Sequence, residues 1–162
     1  MYIPPGEYII KKTIKMNTAT VLMGDATNVS SANDPTKQSQ LQTYNPQPPV
    51  LEPSPDWEGD KTLLDGMDPT TDNRGELSFA VGVKNIILDT TPRPFDEEFL
   101  ALYWGVAQAA QLQNVKIRMP PATGSTGHVG IRMGRGSTLT VADVNISGGS
   151  VNLPSPATKQ QD

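Results

Sequence analysis

The chain has 162 residues, a size that suits one domain with a real core, and it carries fourteen Gly, fifteen Pro, one His, no Cys and a formal net charge of -4. Gly and Pro exceed the roughly 12% combined share of ordinary proteins, while aromatic residues are 6% and charged residues 19%, a profile of turns rather than long helices. These counts argue against a disulfide framework, a thiolate or His-based metal site, a cysteine nucleophile and a Ser-His-Asp triad; the scattered Lys and Arg argue against a nucleic-acid partner, and no apolar run is long enough for a membrane span.

The opening Met1-Tyr2-Ile3-Pro4-Pro5-Gly6 lacks a basic segment, an apolar stretch and a small-residue cleavage site, so it reads as the interior of a folded domain rather than as a secretion signal. Short strands are expected at Tyr8-Ile9-Ile10, Thr13-Ile14-Lys15-Met16 and Thr20-Val21-Leu22-Met23, broken by Pro, Gly, Lys and Asn turns. Residues 28 to 46 are polar and lead into Pro46, Pro48, Pro49, Pro53 and Pro55, which predicts a long surface excursion within the domain. A strand at Pro49-Val50-Leu51-Glu52 follows, then Thr62-Leu63-Leu64-Asp65-Gly66 as strand and turn. Residues 1 to 153 form the predicted domain and 154 to 162 a disordered tail.

From Leu77 the chain repeats itself. Val83-Lys84-Asn85-Ile86-Ile87-Leu88-Asp89, Leu112-Gln113-Asn114-Val115-Lys116-Ile117-Arg118 and Val141-Ala142-Asp143-Val144-Asn145-Ile146-Ser147 align, with 29 residues from Asn85 to Asn114 and 29 from Asn114 to Asp143. Alternation places Ile86 with Leu88, Val115 with Ile117 and Val144 with Ile146 on one face. Short strands joined by turns at a fixed interval predict an all-β fold, a single-stranded parallel β-helix whose coils stack about 4.8 Å apart. Asn85, Asn114 and Asp143 would then stack at one turn, where amides can hydrogen-bond from coil to coil. An antiparallel sandwich is the alternative, but hairpin folds do not repeat at a constant spacing.

Tyr2-Ile3-Pro4-Pro5-Gly6-Glu7-Tyr8 with Thr20-Val21-Leu22-Met23-Gly24-Asp25-Ala26 resembles the opening of pectate-lyase-like right-handed β-helices. The ordered blocks Leu64-Asp65-Gly66, Val83 to Thr91, Trp104 to Val115 and Gly127-His128-Val129-Gly130-Ile131-Arg132-Met133 resemble fungal exo-β-1,3-glucanases of glycoside hydrolase family 55. The resemblance covers residues 2 to 26 and 49 to 149. It implies a right-handed parallel β-helix, incomplete relative to the family, and a secreted enzyme that releases glucose from β-1,3-glucan. That family has two β-helix domains and takes its catalytic Glu from the second, so no residue here inherits the role and the chain alone is expected to be inactive. The excursion at 28 to 46 and the polar tail have no counterpart in the pattern. A non-catalytic polysaccharide-binding or structural module, or a truncated gene product, are the alternatives.

Sugar contacts are expected from Trp57, Tyr103, Trp104 and His128. Aromatic faces cover the apolar faces of pyranose rings, but adjacent Tyr103 and Trp104 in a strand point to opposite sides, so only one of them faces solvent. His128, between Gly127 and Gly130, could bond a sugar hydroxyl, although a lone His is more often tied to backbone. Asp65, Asp68 and the run Asp96-Glu97-Glu98 are the carboxyl candidates for hydrolysis. Their bland roles are a turn cap before Gly66 and a solvated loop or first helical turn. Gly134-Arg135-Gly136-Ser137 lacks the Lys and helix of a phosphate loop and reads as a turn. No metal and no cofactor are expected; a β-glucan is the expected partner.

Overall fold

The computed structural model describes residues 1–25, 48–72, 74–121, 127–134 and 139–149; the predicted excursion at 28 to 46, the predicted tail and the turn after Gly134 lie outside them. Among these residues every strand pairs in parallel with its neighbours, which excludes the sandwich. The strands are β1 (Glu7–Ile10), β2 (Ile14–Lys15), β3 (Val21–Met23), β4 (Val50–Pro53), β5 (Thr62–Asp65), β6 (Gly82–Asp89), β7 (Phe99–Trp104), β8 (Ala110–Arg118), β9 (His128–Met133) and β10 (Leu139–Ser147). Two 3-10 turns, Pro69–Thr71 and Gly75–Leu77, interrupt the loop before β6. No helix is long and apolar enough to cross a membrane.

One sheet runs β2-β5-β7-β9; the other runs β1-β4-β6-β8-β10, with β3 also on β6. This is the stack of coils that the 29-residue interval predicts, and the register is exact across it: Ile86 lies against Val115, and Val115 against Val144. The three predicted repeats are β6, β8 and β10, longer than simple strands because each one bends in the middle. Asn85, Asn114 and Asp143 sit at that bend with φ of 55°, 53° and 54°, the left-handed region that Asn and Asp tolerate better than other residues with a Cβ. The Asn114 Nδ2 donates to Asn85 Oδ1 at 2.9 Å, and Asn85 Nδ2 donates to the Gly24 carbonyl at 3.4 Å. Amides therefore run down the stack in one direction.

In the first coil the bend is opened up. Met23 pairs with Lys84 and Val50 with Ile87, so two strands of the first coil lie against the two halves of β6, on either side of Asn85 and Ile86. Gly24 follows β3 where a side chain has no room: a Cβ there would lie 2.1 Å from the Asn85 carbonyl oxygen and 2.5 Å from Pro49 Cδ.

The core fills the space between the sheets. Leu22, Val83 and Leu112 line it before the bend; Ile86, Leu88, Val115 and Ile117 line it after, and each such side chain contributes on the order of 1.5–3 kcal/mol of burial. In the second sheet, alternation breaks. Leu63 and Leu64 are both core residues, as are Ala101 and Leu102, and the pairing skips Leu63 with Ala101. The strands turn a corner there, which brings two consecutive side chains inward and leaves Thr62, Asp65 and Tyr103 less buried.

Candidate functional site

Of the two neighbouring aromatic residues, Trp104 is the inward one. It is completely buried, lies against Gly66, where a Cβ would come within 2.6 Å of its ring, and its Nε1 has no hydrogen-bond partner among the described residues. Burial removes Trp104 from any sugar-facing role. Tyr103 is half-buried on the outer side of the same strand. Parallel pairing sets it in one row with Asp65 and Arg132.

His128 is also inside. Its Nδ1 is 2.9 Å from Thr90 Oγ1 and its Nε2 is 2.9 Å from the Pro94 carbonyl, so its ring fastens the loop after β6 to the start of β9. The structure thus gives His128 to the fold and not to a surface that a sugar could reach. Beside it, Phe99 meets the Trp57 ring edge to face at 5.4 Å, and the Trp57 Nε1 donates to the Asp60 carbonyl at 2.7 Å. Arg93 lies over the Phe99 ring at 5.8 Å and forks onto Glu97 with contacts of 2.9 and 2.8 Å. Trp57, Phe99 and His128 therefore form one seam that closes the corner between the two sheets. Trp57 belongs to it as a partly buried wall.

Next to this seam, a shallow depression opens on the outer side of β5, β7 and β9. Thr62, Leu100 and Val129 form its floor, and Lys61, Glu98 and Arg132 its rim. Lys61 and Glu98 are paired at 2.9 Å, which holds the Glu98 carboxyl below its ordinary value.

The carboxyl candidates separate clearly. Asp65 Oδ1 accepts from the Met67 amide at 2.9 Å, as a turn cap does; burial pushes its carboxyl up, while that amide and Lys15 pull it back. Glu97 and Glu98 are ion-paired in a loop. Asp68 is buried, and Thr70 Oγ1 donates to it at 2.6 Å, the Thr18 amide at 2.7 Å and the Thr70 amide at 2.9 Å. The Thr70 hydroxyl first, then the two amides, hold its carboxyl far below the usual carboxylate range. Such a group stays ionised and cannot serve as the acid of a hydrolysis. Among the described residues, no three His, Cys, Asp or Glu side chains gather as a metal site.

The Asp68 arrangement carries its own pH prediction. A folded-state value below the unfolded one, roughly 3.9, means that the contribution is complete above that pH and fades as pH falls toward the folded value. Asp68→Asn should lower the thermal midpoint by several degrees at pH 7, and the gap from the unaltered chain should narrow below about pH 4. Thermal melts followed by circular dichroism at pH 7 and pH 3 measure it; an equal gap at both values would contradict the assignment.

Parallel coils, an amide ladder at one bend and a core enclosed by two sheets define a pectate-lyase-like parallel β-helix. The family model for rhamnogalacturonase A/epimerase, pectate lyase-like proteins matches residues 1–161, and the chain belongs to that family. Similar proteins are a glucan endo-1,3-beta-glucosidase of Trichoderma harzianum, 50% identical over 113 residues that make up 70% of this chain and 12% of the relative. A glucan 1,3-beta-glucosidase of Cochliobolus carbonum is 31% identical over 155 residues, 92% of this chain and 17% of that protein. A probable glucan endo-1,3-beta-glucosidase of Arthroderma benhamiae is 28% identical over 157 residues, 93% of this chain and 15% of that protein. The chain thus spans well under a fifth of the length of each of these relatives.

The sequence names Tyr103 and Trp104 together without choosing which faces outward, and it does not mark Arg132 or the depression beside it. Arg132 stands next to Met133 in a segment whose period is broken by the strand corner, so nothing in the spacing marks it as outward.

Proposed function

We propose that the chain is a β-helix portion of a secreted glycoside hydrolase acting on β-1,3-glucan, and that it does not cleave glucan by itself. The observation that carries this reading is the similarity to three proteins named as glucan glucosidases, one of them at 50% identity. Family resemblance adds the expectation that the acid comes from a second β-helix. Three of the carboxyl candidates are tied up in the fold, since Asp68 is held as an anion and Glu97 and Glu98 pair with Arg93 and Lys61, while Asp65 caps the turn at Met67. Two of the three relatives carry "endo" in their names, whereas the resemblance implies release of glucose from chain ends. Hydrolysis of the β-1,3 linkage is common to both.

The test is to express residues 1 to 162, incubate the folded chain with laminarin and separate the products by chromatography. Neither glucose nor oligosaccharides should accumulate above the level of a heat-denatured control. Turnover at an enzymatic rate would overturn the proposal, and the product ladder would then show whether ends or interior bonds are cut.

A further inference from the structure

We propose that the outer side of the β5-β7-β9 sheet carries a glycan subsite in which the Tyr103 ring is the platform and Asp65 and Arg132 are the polar clamps. The proposal rests on the glucan reading above for the class of ligand, but its geometry stands on the fold. A Cβ at Gly105 would lie 2.7 Å from Tyr103 Cε1, and one at Gly134 would lie 2.7 Å from Tyr103 Oη and 2.7 Å from the Gly105 Cα. The tyrosine ring is therefore laid back over a pair of glycines stacked in consecutive coils. Neither glycine has a positive φ, so backbone conformation does not require glycine at either place; the close approach of the ring does. A ring wedged against backbone in this way has little side-chain entropy left to lose on binding.

The groups around the ring suit a neutral, hydroxyl-rich chain. Asp65 stands one strand to one side and Arg132 one strand to the other, so an acceptor and a fork of donors flank the platform at about 4.8 Å. Three residues back along the same strands, on the other side of the corner, Thr62, Leu100 and Val129 line the depression, and Arg132 lines it too. An aromatic ring edged by hydrogen-bonding groups on both sides matches the apolar face and hydroxyl edges of a sugar.

The experiment measures binding of laminarin, cello-oligosaccharides and pullulan to the folded 162-residue chain by affinity electrophoresis and calorimetry, with circular dichroism as the fold control. Laminarin should bind, and Tyr103→Ala should weaken it by at least about tenfold, Arg132→Ala by less, while Tyr103→Trp retains it. Gly134→Ala leaves the tyrosine in place but pushes its ring off the glycine pair, and should weaken binding much as Tyr103→Ala does. If Tyr103→Ala fails to fold, Gly134→Ala and Tyr103→Leu answer the same question. Laminarin binding that ignores Tyr103 and Gly134 would overturn the subsite and leave the glucan reading standing. Tyr103-dependent binding of another glycan without laminarin would keep the subsite and overturn the glucan reading. No glycan bound by the folded chain would overturn the subsite.

Discussion

Replacing Trp104 with alanine is expected to destabilise the chain by about 3–5 kcal/mol, the usual cost of emptying a large aromatic site in a close-packed core. The side chain is fully buried and lies among the core residues contributed by both sheets, and Gly66 is there because a Cβ would meet its ring at 2.6 Å. A rigid backbone on that side cannot collapse into the vacated space, so most of the cavity penalty persists. For a chain of this size the loss corresponds to a fall in thermal midpoint on the order of 10 °C. The indole nitrogen sharpens the prediction. It is buried without a hydrogen-bond partner among the described residues, so Trp104→Phe removes an unsatisfied donor along with volume and should cost clearly less than Trp104→Ala. Urea unfolding followed by circular dichroism gives both values. Equal losses for Phe and Ala would overturn the prediction, since both the retained ring volume and the removed donor favour Phe.

The same residue shows how far a sequence can be read. Adjacency of Tyr103 and Trp104 dictates that one faces in and one out, yet it does not say which. That choice depends on the corner in β5, β7 and β9, where two consecutive residues turn inward, and a corner leaves no periodic trace over such short strands. His128 fails for a related reason. Its partners, Thr90 and Pro94, lie 38 and 34 residues away, and only the stacking of coils brings them together.

The repeat was legible because its marker has a physical cause that composition can express. Asn and Asp are the side-chain-bearing residues that best tolerate the left-handed backbone of the bend, so the interval appears as letters. Ala19, Ala80 and Ala109 hold a second left-handed position, at φ of 60°, 54° and 60°. Nothing in an alanine announces that conformation. Tertiary hydrogen bonds impose it, with the Ala80 amide donating to Gln108 and the Ala19 amide to Phe79. The first bend was hidden too, since β3 and β4, both paired with β6, are far apart in the chain.

Asn114→Val is expected to cost about 3 kcal/mol, from two sources that a second variant separates. The left-handed backbone at φ 53° penalises a residue with a Cβ by roughly 1–2 kcal/mol, and a β-branched one more. Loss of the 2.9 Å bond to Asn85 Oδ1 removes about 1 kcal/mol further and takes away the donor of a half-buried acceptor. Asn114→Gly keeps the backbone conformation and loses only the amide, at the added cost of unfolded-chain entropy, so it should fall near 1 kcal/mol. The ordering matters because Asn114 joins the coil below to the one above, and both strands next to it pair through the same bend. A solenoid draws its stability from such neighbour contacts, so a rung that fails in the middle weakens two interfaces at once. Urea midpoints of the two variants measure the difference. If valine proves no worse than glycine, the bend is held by the ladder alone, and the backbone preference of asparagine contributes nothing to the stack.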